Sequence, residues 1–242
     1  MAKGNLSKCL PITLAFEGGW SNHPKDPGGA TMNGVTQRTY DGYRRKLGLS
    51  LRSVKFMTLV EREEIYRVGY WAASGCETLL AGVDLVTFDG SVNSGVSRSK
   101  KWLASSISTD GKTTIQKYCK ARLGFVRGLK TWTTFGKGWS RRIATVEANA
   151  VKMFLGNRIS ANAELKAEAS KAQVEAKNNE RAASGVGAGG VGAGSTDLLA
   201  GDPNWLFWGV AGVALIAVVA ILIARRSHNK ERAAAYAQVA SE

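Results

Sequence analysis

The chain is expected to be mainly helical, with one small β-hairpin near its N-terminus and one long apolar helix near its C-terminus. Three observations predict this. Apolar residues recur at helical spacing behind a capping-box start, Thr58-Leu59-Val60-Glu61. A short β-prone run, 31–37, follows a Pro/Gly-rich turn. A run of twenty residues without a charge, Trp205 to Ala224, lies behind a glycine-rich stretch.

Each element has its own warrant. Residues 6–16 predict a short helix whose start Pro11 kinks or delays, and Gly18 and Gly19 stop it. Loop 20–30 leads into the hairpin, and Gln37 to Leu47 returns to helix. From Thr58 to Trp71 the inward positions are Ile65, Val68 and Trp71, which suits a structural helix under a cleft. Residues 80–150 are again helical and punctuated by glycine. The segment 160–183 is rich in Ala, Glu, Lys and Asn and has little to bury, so it suits a solvated helix or a flexible stalk. Gly185 to Gly194 is a low-complexity linker and a domain boundary. At 1.5 Å per residue the uncharged run spans about 30 Å, the thickness of a bilayer's hydrocarbon core. Trp205 and Trp208 suit one interface and Arg225-Arg226 the other, so a transmembrane helix over 205–224 is expected.

Composition narrows the chemistry. With 242 residues and a 44% apolar share, the chain can bury a core in one or two domains. Lys and Arg number 33 against 19 acidic residues, a net +14 that suits nucleic acid, anionic lipid or a bacterial envelope without choosing among them. Cys9, Cys76 and Cys119 form no CxxC pair, which argues against zinc and against a disulfide framework; buried free thiols are expected. His23 and His228 are the only imidazoles, so a Ser-His-Asp or His-metal mechanism is excluded. Neither metal nor organic cofactor is implied. Carboxylate chemistry remains.

The most informative segment is 17–36. Glu17 ends an apolar segment, and Asp26 follows nine positions later in a Pro/Gly turn. Hydrolysing a glycosidic bond needs a protonated acid at the leaving oxygen and a second group that handles water or the sugar cation. A carboxyl against an apolar helix end suits the first role and one on a wet loop the second. Glu at a helix end and Asp before Pro-Gly are also common structural choices, so spacing alone leaves both readings open.

The stretches Glu17-Gly18-Gly19-Trp20, Asp26-Pro27-Gly28-Gly29 and Thr31-Met32-Asn33-Gly34-Val35-Thr36 resemble the active-site signature of glycoside hydrolase family 108, N-acetylmuramidases of the lysozyme superfamily. Trp20 replaces the usual Tyr, Met32 is inserted in the Thr-Asn pair, and Val35 stands for Ile; no charged group is lost. The resemblance implies a lysozyme-like α+β fold. It also implies cleavage of the β-1,4 bond between N-acetylmuramic acid and N-acetylglucosamine, with peptidoglycan as partner and no nucleic acid. Glu17 would be the acid. Asp26 would stabilise the oxocarbenium-like transition state or orient water, with Thr31 or Thr36 holding that water. Trp20 either stacks on a sugar or plugs the core beneath the turn, and Asn33 is a candidate substrate contact.

Asp89-Gly90-Ser91-Val92-Asn93, the Lys100-Lys101-Trp102-Leu103 run and Phe135 to Ile143 resemble the peptidoglycan domain predicted to follow the catalytic part in this family, with the stretch 103–115 shortened. Asp89 and Asn93 either face the groove or serve a turn or cap. The expected organisation is a catalytic region over 1–79, a helical region completing the cleft over 80–158, stalk and linker over 159–204, the membrane helix over 205–224 and a basic tail over 225–242. The positive-inside rule places that tail in the cytoplasm and the head on the wall side. No secretory signal is expected, because Lys3, Lys8 and Glu17 interrupt the first twenty residues. Delivery through a membrane lesion and arrival in a virus particle both stay open. A lytic transglycosylase would share the acid, and Asp26 favours hydrolysis. A non-catalytic wall-binding protein on the same scaffold would be expected to have lost the Glu, which is intact.

Overall fold

The computed structural model describes residues 4–22, 29–156, 158–190 and 205–242; the side chains of 187–190, 205–213 and 215 are outside the description. Two compact units result, one of residues 1–128 with 149–156 and one of 129–148 with 157–242.

In the first unit, helix α1 (Leu6–Leu14) begins at its expected place and carries Pro11 inside it without a break. Its end comes before the glycines, at Ala15, whose N–H reaches the Pro11 carbonyl. Strands β1 (Trp20–Ser21), β2 (Thr31–Met32) and β3 (Val35–Thr36) form an antiparallel sheet in the order β1-β2-β3. The hairpin is the expected one, closed by Asn33 and Gly34 with φ of 48° and 78°, both left-handed as a tight two-residue turn requires. The third strand was not expected. Trp20 pairs with Met32 and Ser21 with Thr31, a ladder too short for any periodicity to announce.

Helix α2 (Gln37–Lys46) is capped by the Thr36 hydroxyl, which accepts from the Thr39 N–H at 3.2 Å. Helix α3 (Leu59–Tyr66) has the capping box the sequence promised: the Glu61 N–H donates to Thr58 and the Thr58 N–H to Glu61 Oε2 at 2.9 Å. Glu61 also binds Arg44 at 2.5 Å, Arg52 at 2.6 Å and the Tyr40 hydroxyl at 2.9 Å, tying α3 to α2. Residues Arg67–Ala72 then form a π-helical turn. Its wider winding changes the register. Ile65 and Trp71 are buried as expected, but Val68 swings out to 46% exposure.

Helix α4 (Val83–Ser94) is the centre of this unit, buried at every position from Val83 to Ser91. It packs against α1, the π turn, α5 (Val96–Ser106) and α6 (Gly111–Arg127). The Asn5 amide donates to Asp84 Oδ2 at 2.7 Å and fixes the start of α1 to the start of α4. Cys9, Cys76 and Cys119 are buried free thiols, and burial pushes Cys9 and Cys76 well above the ordinary thiol range.

Helix α7 (Trp132–Leu155) contributes to both units. Helices α8 (Ala161–Gly190) and α9 (Trp205–Ser241) run antiparallel against each other in the second unit. The flexible-stalk expectation is corrected here. Leu165, Ala172 and Ala176 of α8 are buried, and the helix continues through Gly185 to Gly190, into the stretch read as linker. The remainder of that linker lies outside the described residues. Among the described residues no helix is long and apolar enough to cross a membrane, so the single-pass expectation for 205–224 has no support in the fold. Nor is 225–242 a free basic tail. Arg226 pairs with Glu180 at 2.6 Å, Arg232 with Glu147 at 2.7 Å, and Tyr236 is fully buried. A tail that holds α7 and α8 cannot lie across a bilayer from them, which overturns the expected orientation.

Candidate active site

Glu17 sits just beyond α1, its N–H bonded to the Leu14 carbonyl at 3.0 Å, and its residue is half-buried. The wall opposite its carboxyl is the Asn33–Gly34 turn. A Cβ placed on Gly34 would lie 2.9 Å from Glu17 Oε2 and 2.6 Å from the Tyr66 hydroxyl, so only glycine lets the turn approach this closely. Tyr66 ends α3, is 1% exposed, and donates to the Asn33 carbonyl at 2.8 Å. Tyr70, one turn later in the π segment, stacks at a tilt on Tyr66 with ring centroids 5.5 Å apart. Burial, and after it the charge of Glu17, push the Tyr70 hydroxyl above the ordinary phenol range. One carboxyl, two tyrosines and a bare backbone turn thus converge.

The other expected site residues divide. Asp26, with His23, lies outside the described residues. Trp20 is 40% exposed on β1, with the Lys55 ammonium 5.7 Å from its ring centre. Thr31 donates to the Gly29 carbonyl at 3.1 Å, and Thr36 is committed as the α2 cap. Asn33 meets Tyr66 through its carbonyl oxygen. Asp89 belongs elsewhere: it is fully buried in an ion pair with Arg122 at 2.5 Å, and Arg122 also donates to Asn93 Oδ1 at 3.0 Å. That pair stitches α4 to α6, a role that neither the groove-facing nor the turn-or-cap alternative named.

Tyr66, Tyr70 and Gly34 were missed as site residues. The β-prone run 31–37 announced the hairpin but not what its turn faces, and no sequence feature singled out the two tyrosines. Among the described residues there is no cluster of three or more His, Cys, Asp or Glu that could hold a metal ion. A groove of about 500 Å³ lies in the second unit, lined by Ala169, Ala176, Ala233 and Ala237 among others; its one carboxylate, Glu180, is engaged by Arg226. Its other polar lining residues, Ser170, Gln173, Lys177 and Lys230, supply no further carboxylate for glycoside cleavage.

A half-buried carboxyl at a helix end, facing a small antiparallel sheet over a helical core, fits a lysozyme-like glycosidase. Comparison with known proteins makes the class specific. The family model for glycosyl hydrolase 108 matches residues 10–95, a span that includes Glu17, the sheet, the two tyrosines and α4. The chain is also similar to the solved structure of Brucella abortus SagA, at 33% sequence identity and a TM-score of 0.55; the match covers 64% of this chain and 98% of that one. No curated protein matches it. The chain belongs to glycosyl hydrolase family 108, which makes it a peptidoglycan hydrolase of lysozyme-like type.

Proposed function

We propose that the chain is an N-acetylmuramidase that hydrolyses the β-1,4 bond between N-acetylmuramic acid and N-acetylglucosamine, with Glu17 as the general acid. The observation that carries this reading is the walled position of Glu17, at the head of the family's sequence signature and against the Gly34 turn. Glu17 gives its proton to the glycosidic oxygen as the C–O bond breaks. Asp26 supplies the second function, stabilising the sugar cation or orienting the attacking water. Trp20 offers an exposed ring to a sugar face beside the Lys55 charge. The test is digestion of purified peptidoglycan by Glu17→Gln and Asp26→Asn variants, with mass analysis of the released ends. Reducing muramic ends support hydrolysis; anhydro ends mean transglycosylation; a folded Glu17→Gln variant that digests walls at the native rate defeats the acid assignment.

The apolar run of α9 supports a second role. Ile216, Ile221 and Ile223 each expose half or more of their surface, and Val218 nearly half, at helix positions that face in several directions. A helix apolar on all sides seeks a nonpolar environment, so this segment brings the enzyme to membranes. Replacing the exposed Ile216 and Ile221 by Lys in the full chain then yields an enzyme that stays in the supernatant, whereas the native chain sediments with vesicles after a high-salt wash. Equal partitioning of the two sinks the membrane role.

A further inference from the structure

The backbone around Glu17 does little to aim its side chain. Helix α1 has ended at Leu14, and Gly18 and Gly19, with open space around both, follow immediately. One wall that limits the Glu17 side chain stands across from it. The Glu17 carboxyl and the Tyr66 hydroxyl both lie within 3 Å of one point, the place where a Cβ on Gly34 would be. Tyr66 is itself immobile, packed edge-on to Phe88 at 6.2 Å and bonded to the Asn33 carbonyl.

Resting on Glu17 as the acid, we infer that Tyr66 is a positioning residue for the reaction: its hydroxyl, by holding the Asn33 carbonyl, keeps the side-chain-free Gly34 against the Glu17 carboxyl and fixes the direction in which the proton is presented. The turn is the lever. Asn33 and Gly34 both occupy left-handed backbone, and the hairpin they close is only two residues long on each side. So short a ladder holds its tip weakly, and the bond from Tyr66 supplies what the ladder lacks. Misdirecting an acid lowers the rate of the bound complex and leaves ground-state affinity nearly untouched.

The test is a cycle of Tyr66→Phe, Gly34→Ala and the double variant in the full chain, assayed on solubilised glycan strands, with thermal melting to confirm folding. Tyr66→Phe keeps the ring and its packing. It is expected to lower kcat about tenfold, to change KM less than about twofold, and to displace the limb of the pH–rate profile that reports the acid. Gly34→Ala is expected to cost about a hundredfold, since its methyl meets both the carboxyl and the hydroxyl. The double variant should be less impaired than the product of the singles, because removing the hydroxyl vacates one of the two atoms the methyl meets. A Tyr66→Phe enzyme with native kcat and an unmoved pH profile overturns the proposal, even if its melting point falls; so does a strictly multiplicative cycle. If Gly34→Ala does not fold, the pH profile of Tyr66→Phe decides alone. Glu17→Gln separates the two claims: full activity there defeats the acid assignment, whereas an inactive Glu17→Gln beside a native-like Tyr66→Phe defeats only the positioning role.

Discussion

Glu17 and Asp89 are both carboxylates of the first unit, and their surroundings are opposites. Glu17 stands half-buried on a bend just before two glycines, walled by a strand turn. Asp89 stands fully buried in the middle of α4, closed by an arginine from α6. Around Glu17 the chain is bend and two-residue strand, whereas around Asp89 it is continuous helix. A carboxylate paired with a buried guanidinium is committed to that pair, and removing either partner leaves an uncompensated buried charge. On the proposed assignment of Glu17, chemistry and stability draw on different carboxylates of the same unit.

That contrast predicts reciprocal mutants. The largest effect is expected from Glu17→Gln: turnover on peptidoglycan falls between about a hundredfold and ten-thousandfold while the urea midpoint stays put. Arg122→Leu should do the reverse. It leaves Asp89 buried without its partner, costs about 3–5 kcal/mol in urea unfolding, and preserves the specific activity of whatever remains folded. Should the Arg122 variant lose activity in proportion to nothing but the site, with stability unchanged, the division of labour drawn above is wrong.

Glu61 sharpens the comparison, since it is a stability carboxylate near the surface. Burial alone would raise it, but hydrogen bonds from the Thr58 N–H, Tyr40 and Arg52 overcome that and hold it at about 2. A depressed folded value means its contribution is fully present above the ordinary carboxylate range and fades as pH falls through that range toward about 2. Glu61→Gln should cost about 2 kcal/mol at neutral pH and flatten the acid limb of the melting profile. The smallest effect is expected from Trp20→Ala. With the ring already 40% exposed, its removal should raise KM about fivefold, roughly 1 kcal/mol, without lowering kcat. A fall in stability in place of the KM effect would return Trp20 to the core-plugging alternative.

Local chemistry was readable where the signal is local. Thr58 and Glu61, three apart, announced a capping box, and the β-prone run 31–37 a hairpin; both are there. What escaped the sequence depends on distance or on small departures from regularity. Strand β1 joins the sheet across the nine residues between Ser21 and Thr31 through only two paired positions. The π turn at Arg67–Ala72 displaces Val68 by a change of winding that no apolar spacing encodes. Asp89 looked available because its partner Arg122 is 33 positions away. The C-terminal segment misled for the same reason. Its arginines resembled a cytoplasmic flank, and nothing nearby revealed that Glu147, 85 residues earlier, accepts two bonds from Arg232.

That last contact has a consequence for synthesis. The first unit draws no residue from beyond Gly156, so the chain that carries the candidate acid is complete when about a third of the protein has yet to be made. The second unit cannot close until Arg232 and Tyr236 have emerged to meet Glu147, because a buried carboxylate without partners is unfavourable. Translation therefore imposes an order. The glycosidase part can fold on the ribosome, and the carboxylate of α7 waits, solvated, for the final helix to arrive.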